Sequence, residues 1–309
     1  MKSNLKTGRP SFIYRISQIG YREKGTALIF VLPFVIGFII FNVIPMLYSI
    51  MISLMDFNTF KPLNMIKFIG FDNYTRLFND PIALNAFVKS FIYTLFYVPG
   101  LIILSFIMAT LLNKTFALRG LTRTLILMPY VANVVAVSIV WSILLDPFGG
   151  PINQIIEKLG GTPPMWLSGV KTALPTIAGI NVWQSLAFQT IVFLAALQGV
   201  NKELYEAADM DGASRLRRLW SITLPAISPT TFFLVITSII GSFQNYASVR
   251  MLTNGGPGTS SRVISLNIYE EAFTLNHYSY ASAQAMILFA IVLVITIIQW
   301  KGQKRWVHY

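Results

Sequence analysis

"NKELYEAADMDGASRLRRLWSITLPAIS", residues 201–228, sets four basic and four acidic residues between two long apolar runs. The whole chain has 309 residues, 54% of them apolar and only 12% charged, with a mean hydropathy of +0.61. A soluble domain carries about 25% charged residues. Charge is being kept out of most of this chain, and a bilayer is the solvent that requires it. A polar, helix-forming segment in such a chain belongs at a membrane surface, and its position orders the rest.

Apolar windows fall at about 27–55, 86–113, 121–145, 173–199, 228–249 and 280–300. Each reaches or exceeds the roughly 20 residues that carry a helix across ~30 Å of hydrocarbon. The fold class is therefore all-α, a polytopic membrane protein of six transmembrane helices. Pro33, Pro45, Pro99, Pro129 and Pro175 predict local kinks. The chain divides into an N-terminal segment, 1–25, a membrane domain, 26–300, and a tail, 301–309. Residues 201–227 form the polar loop between the fourth and fifth spans.

Sixteen Lys and Arg residues fall on the side of the membrane that holds this loop and both termini, and seven on the other. The positive-inside rule places the loop and the termini in the cytoplasm. The net charge of +12 is thus a topology signal and not a nucleic-acid footprint. With no cysteine, and with His277 and His308 far apart, there is no disulfide frame, thiol nucleophile or metal cluster to expect. The basic N-terminus lacks the early apolar stretch of a cleavable signal peptide.

No Asp or Glu lies inside a window, and Lys89 sits near the outer end of the second, where it can snorkel. Ion-driven transporters usually need buried carboxylates, and channels a charged ring or carbonyl filter. Energy for any transport then comes from elsewhere. The spans do carry uncharged hydrogen-bonding groups. Asn181, Gln184, Ser185 and Phe188 share one helical face. Ser238, Ser242 and Asn245 repeat that spacing beside Gln244 and Tyr246, and Tyr130 and Asn133 share a third face. Such groups either join helices or line a polar cavity. Amides and aromatic rings without charge suit a neutral, polyhydroxylated solute.

Within the loop, Glu203 to Asp211 predicts a helix, Gly212 a sharp turn, and Ser214 the cap of a second helix running to Trp220. Pro225 then leads back into the membrane. The residues leave two uses open: a docking element for a partner, or an amphipathic interfacial helix on anionic lipid.

"EAADMDGASRLRRLWSITLP" resembles the EAA loop of ABC-importer permeases. Glu206, Ala207, Ala208, Gly212, Ile222, Leu224 and Pro225 all stand at the spacing of that motif. "FIGFDNYTRLFNDP" (68–81), "LPTIAGINVWQSLAF" (174–188) and "LTNGGPGTSSRVISLNIYEEAF" (252–273) resemble stretches of the sugar-type permeases, the last one of the first of two paired subunits. The resemblance covers about residues 27 to 300. It implies a bacterial cell-membrane permease with no catalytic chemistry or cofactor of its own. ATP and Mg would be held by a partner ATP-binding-cassette dimer docked on the loop. A second permease subunit and an extracytoplasmic solute-binding protein would complete the importer, and no nucleic acid is involved. Carried over by position, the sugar contacts of the maltose-type member point to Tyr130, Asn181, Gln184, Ser185, Phe188, Ser242 and Asn245. The solute implied is a sugar or oligosaccharide. Glycerol 3-phosphate or another polar solute is the alternative within the family, and an ATP-independent secondary transporter or channel the alternative outside it. The maltose-type member has extra helices and a large outer domain ahead of this core, which are absent here.

Overall fold

The computed structural model describes residues 21–58, 65–114 and 119–303. The terminal segments read from sequence lie largely outside that range, as does Lys61. Its contacts divide the chain into two units that meet at Met51 and Ile52.

The first unit carries α1, Tyr21–Phe38, a π turn, Ile39–Val43, and most of α2, Ile44–Ser53. Pro45 has no N–H to offer the carbonyl four residues back. The chain answers with a wider turn, in which the Ile44 N–H bonds Ile39 O. No residue from Leu28 to Met51 is buried, so this stretch turns apolar side chains outward all round, as a lipid-facing helix does.

The second unit is built around two long helices, α4, Pro81–Asn113, and α8, Ala173–Gln198. They pack on each other more extensively than any other pair. At 1.5 Å per residue α4 is about 50 Å long, so it outruns the hydrocarbon layer. Between them lie α5, Arg119–Val131, α6, Val134–Leu144, and a short α7, Pro151–Lys158. Ahead of α4 stands α3, Asp72–Asn79. Asn73 of α3 donates to the carbonyls of Ser53 and Met55, which pins this helix to the end of α2. The polar loop follows α8 and leads into α12, Ser228–Phe243. Then come α13, Ala247–Leu252, α14, Ile264–Tyr269, a π turn, Glu270–Thr274, and α15, Tyr278–Gln303.

Three buried clusters are strung along α4. Leu77, Ala83, Phe87, Ile264 and Tyr280 gather at its first turns. Tyr93, Val137, Ile177, Val249 and Leu266 meet at its middle. Ala109, Leu112, Phe193, Leu197, Ile227 and Leu234 meet at its end.

Among the described residues four helices are long and apolar enough to cross a membrane, and two bent pairs bring the number of candidate spans to six. The bends correct the straight windows. The third window breaks at Ala132 and Asn133, with a 100° turn between α5 and α6. Asn133 caps α6 by accepting from the Val135 N–H at 2.8 Å, so it does not share a helical face with Tyr130. The fifth window ends at Phe243, and Gln244 to Tyr246 lie outside any helix. Asn245 therefore does not continue the spacing of Ser238 and Ser242. Pro33 and Pro99 sit in helices that run on past them.

Asp80 organises the start of α4. One carboxylate oxygen accepts from the backbone N–H groups of Ile82 and Ala83, and Tyr280 donates to the other at 2.6 Å. The Arg76 guanidinium lies 4.0 Å from the centre of the Tyr280 ring. Burial pushes the Asp80 carboxyl up. The hydrogen bonds from Tyr280, Ala83 and Ile82, with the Arg76 charge, outweigh that and hold it below its ordinary 3.8. Asp80→Ala should lower stability by about 1–3 kcal/mol, most of it from the lost cap. Thermal unfolding in detergent would show it. Because the folded pKa is depressed, the contribution is present above the ordinary carboxylate pKa. It is lost as pH falls through the lower folded value, so wild type and variant should converge in acid.

Candidate functional site

The polar loop folds as two helices at an angle. Asn201 caps α9, Lys202–Met210, by accepting from the Glu203 N–H at 3.0 Å. At the other end the Ala213 N–H bonds Ala208 O and the Gly212 N–H bonds Asp209 O. That pair of bonds is a Schellman cap, and it places Gly212 at φ +69°. A Cβ at Gly212 would meet nothing within 4 Å, so the backbone angle and not space calls for glycine here. Ser214 accepts from the Arg217 N–H and starts α10, Arg215–Arg218. An ion pair between Arg218 and Asp209 ties α10 back to α9.

The second helix does not stop at Trp220 as the sequence reading has it. It continues through a π turn, Leu219–Thr223, into α11, Leu224–Ala226. The device of α1 recurs: Pro225 offers no N–H, and the Leu224 N–H reaches back to Leu219 O. A 68° bend separates this rod from α12.

Glu206 and Ala207 are exposed, and Ala208, Ile222, Leu224 and Pro225 are half-buried. Ala208, Gly212 and Ile222 line one hollow of about 480 Å³ with Arg217 and Arg218. Apolar side chains stand out of the same polar loop: Met210 is 89% exposed, and Leu204, Leu216 and Trp220 are exposed as well.

The expected path residues separate into two groups. Tyr130 and Phe188 stack, ring centres 5.8 Å apart and nearly parallel, with both side chains exposed. Gln184 beside them donates to Ala132 O at the α5–α6 break, and Ser185 accepts from Tyr97 at 3.0 Å. The Gln184 bond to Ala132 O places this group beside the 100° α5–α6 turn. Asn181, Ser242 and Asn245 are placed differently. Asn181 is buried and donates to Ser248, Ser248 donates to Asn245, and Asn245 donates to the Tyr93 hydroxyl at 2.8 Å. Ser242 is buried 2.7 Å from Thr94. This chain of bonds knots α8, α13 and the middle of α4 together.

Tyr93, Tyr97 and Ser248 were not singled out from the sequence. The pair Tyr93 and Tyr97 at i, i+4 on α4, stacked 5.5 Å apart, is the signal that could have found them. A separate, mostly apolar cavity of about 550 Å³ lies between α6 and α8 and is lined by Trp141, Trp166 and Trp183. Among the described residues no group of three or more His, Cys, Asp or Glu is placed to hold a metal.

Asn245→Leu removes the acceptor of the Ser248 hydroxyl and a donor to the Tyr93 hydroxyl in a buried site. It should cost about 1–3 kcal/mol, read as a lower unfolding midpoint. An unchanged midpoint would show that the knot contributes nothing to stability.

Residues 79–301 match the family of binding-protein-dependent transport system inner membrane components. The chain is 30% identical to the sn-glycerol-3-phosphate transport system permease protein UgpA of Pectobacterium atrosepticum, over 94% of this chain and 97% of that one. It is 29% identical to the arabinooligosaccharides transport system permease protein AraP of Bacillus subtilis, over 91% and 89%. In shape it is similar to a chain of a bacterial ABC transporter involved in the import of the acidic polysaccharide alginate. There the TM-score is 0.76 and the identity 26%, over 92% of this chain and 96% of that one. A helical membrane chain whose polar loop carries the EAA spacing thus belongs to the binding-protein-dependent transport system inner membrane components, the multi-pass permease subunits of ABC importers, in which ATP is hydrolysed by a separate subunit.

Proposed function

We propose that this permease forms half of the path of a saccharide importer, with both termini and the 201–227 loop in the cytoplasm. The loop docks on an ATPase dimer that holds ATP and Mg, a second permease completes the path, and a solute-binding protein delivers from outside. The observation that carries the coupling role is the loop itself. Glu206, Ala207 and Ala208 lie on a capped helix none of whose residues is buried, and Gly212 and Ile222 share its hollow. When the ATPase pair closes on nucleotide, a load applied there shifts the population of permease states.

The solute reading rests on the Tyr130–Phe188 stack with Gln184 and Ser185. Two ring faces suit the C–H faces of a sugar, and the amide and hydroxyl suit its oxygens. The AraP relative and the alginate transporter point to the same class. The UgpA relative supports glycerol 3-phosphate as a second reading. That solute asks for a cation, which this set of four does not supply.

ATPase activity of the purified complex in lipid would test the proposal, with and without its binding protein, across saccharides and glycerol 3-phosphate. Stimulation that requires the binding protein and one solute class names the solute; transport by the permease alone without ATP would sink the reading. Glu206→Ala should cut coupled transport about tenfold or more while leaving the protein in the membrane. Unimpaired transport would remove the loop from the coupling role. Arg217→Cys should react with an impermeant thiol reagent only in inverted vesicles, and labelling of intact cells would reverse the topology.

A further inference from the structure

A hollow of about 620 Å³ opens where α4 ends beside the loop, lined by Asn113, Lys114, Tyr205, Arg215, Arg218 and Thr223 among others. Three cations face it. Arg218 is matched by Asp209, whereas among the described residues no carboxylate pairs with Lys114 or Arg215. The Tyr205 and Thr223 hydroxyls bond each other at 2.9 Å, which leaves two uncompensated cations and the Asn113 amide around one space, a donor set that suits a tetrahedral oxyanion.

A second feature says which kind of anion. Up α4 from the hollow, Ile103, Ile107 and Leu111 are 57%, 45% and 50% exposed. At spacings of four, four and then three they form one stripe that ends on Lys114. Leu197 and Leu219 add apolar side chains to the wall of the hollow itself. An apolar stripe that runs into a cluster of cations at the end of a membrane-crossing helix has the shape and polarity of a phospholipid, with tail along the stripe and phosphate at the cations.

We propose that this hollow binds the phosphate of an anionic phospholipid headgroup. The bound phosphate bridges Lys114 at the end of α4 to Arg215 at the start of the rod that leaves the loop. Lipid composition thereby sets how firmly the loop is held against the helix beneath it. This goes beyond the importer reading and its test does not need transport.

The measurement is native mass spectrometry of the full chain released from phosphatidylcholine nanodiscs doped with phosphatidylglycerol. Wild type should retain a phosphatidylglycerol. The double variant Lys114→Gln, Arg215→Gln should retain about tenfold less. Lys114→Arg should keep it, which separates lost charge from a damaged fold. In the second arm, inorganic phosphate is added both to nanodiscs of phosphatidylcholine alone and to the phosphatidylglycerol-doped ones. Binding that requires Lys114 and Arg215, with displacement of retained phosphatidylglycerol, would uphold the phosphate site and move its source from lipid to solution. Equal retention by wild type and double variant, with no phosphate binding, overturns the proposal. Because neither ATP hydrolysis nor solute uptake is read, the result stands apart from whether the chain imports a saccharide.

Discussion

Two helices as long as α4 and α8 must be held side by side in a solvent as apolar as their own side chains. Lipid gives no hydrophobic reward for bringing leucines together, so close packing and internal hydrogen bonds have to do it. The chain uses both. Ala109 on α4 and Ala178 and Ala187 on α8 are fully or nearly fully buried, and their size lets backbones approach. A Cβ on Gly100 would already touch Val182 at 3.5 Å. Polar pairs then fix which neighbours belong: Gln189 to Ser238 between α8 and α12, and Asn267 to Gln284 between α14 and α15. An unmade bond in this setting leaves a polar group with no water to turn to, which is why such pairs specify partners as well as hold them.

That constraint recasts the polar residues of the spans. Asn181, Ser242 and Asn245 resemble solute ligands by position, and in the fold their side chains bond Ser248, Thr94 and Tyr93. Tyr130, Gln184, Ser185 and Phe188 gather at the α5–α6 break, where a 100° turn opens the packing and leaves aromatic faces uncovered. Irregular backbone at such depth is tolerated only where protein or a cavity surrounds it. The exposed Tyr130–Phe188 stack lies where the regular helix gives way.

Much of this was legible in the residues. Length and hydropathy locate four straight spans and the two bent candidates, because a long apolar run in lipid satisfies its backbone internally as a helix. The EAA spacing locates the loop, and Gly212 its turn, because a left-handed cap admits few other residues. What the residues did not disclose were the breaks. Asn133 reads as a polar face residue until its side chain is seen capping α6. Asn245 reads as a continuation of Ser242 until the helix ends at Phe243. Hydropathy is an average over a window and does not register one residue leaving a helix. Tyr93 and Tyr97 escaped for a related reason: in a span of 33 residues two tyrosines do not disturb the average.

The π turn before Pro225 has a mechanical consequence. By reconciling the proline with helical geometry it keeps Arg215–Ala226 a single rod, about 18 Å long at 1.5 Å per residue. The rod ends at Ile227, a buried residue in the cluster of Phe193, Leu197 and Leu234. A rigid arm on a packed pivot acts as a crank. A swing of roughly ten degrees about Ile227 would carry the far end about 3 Å.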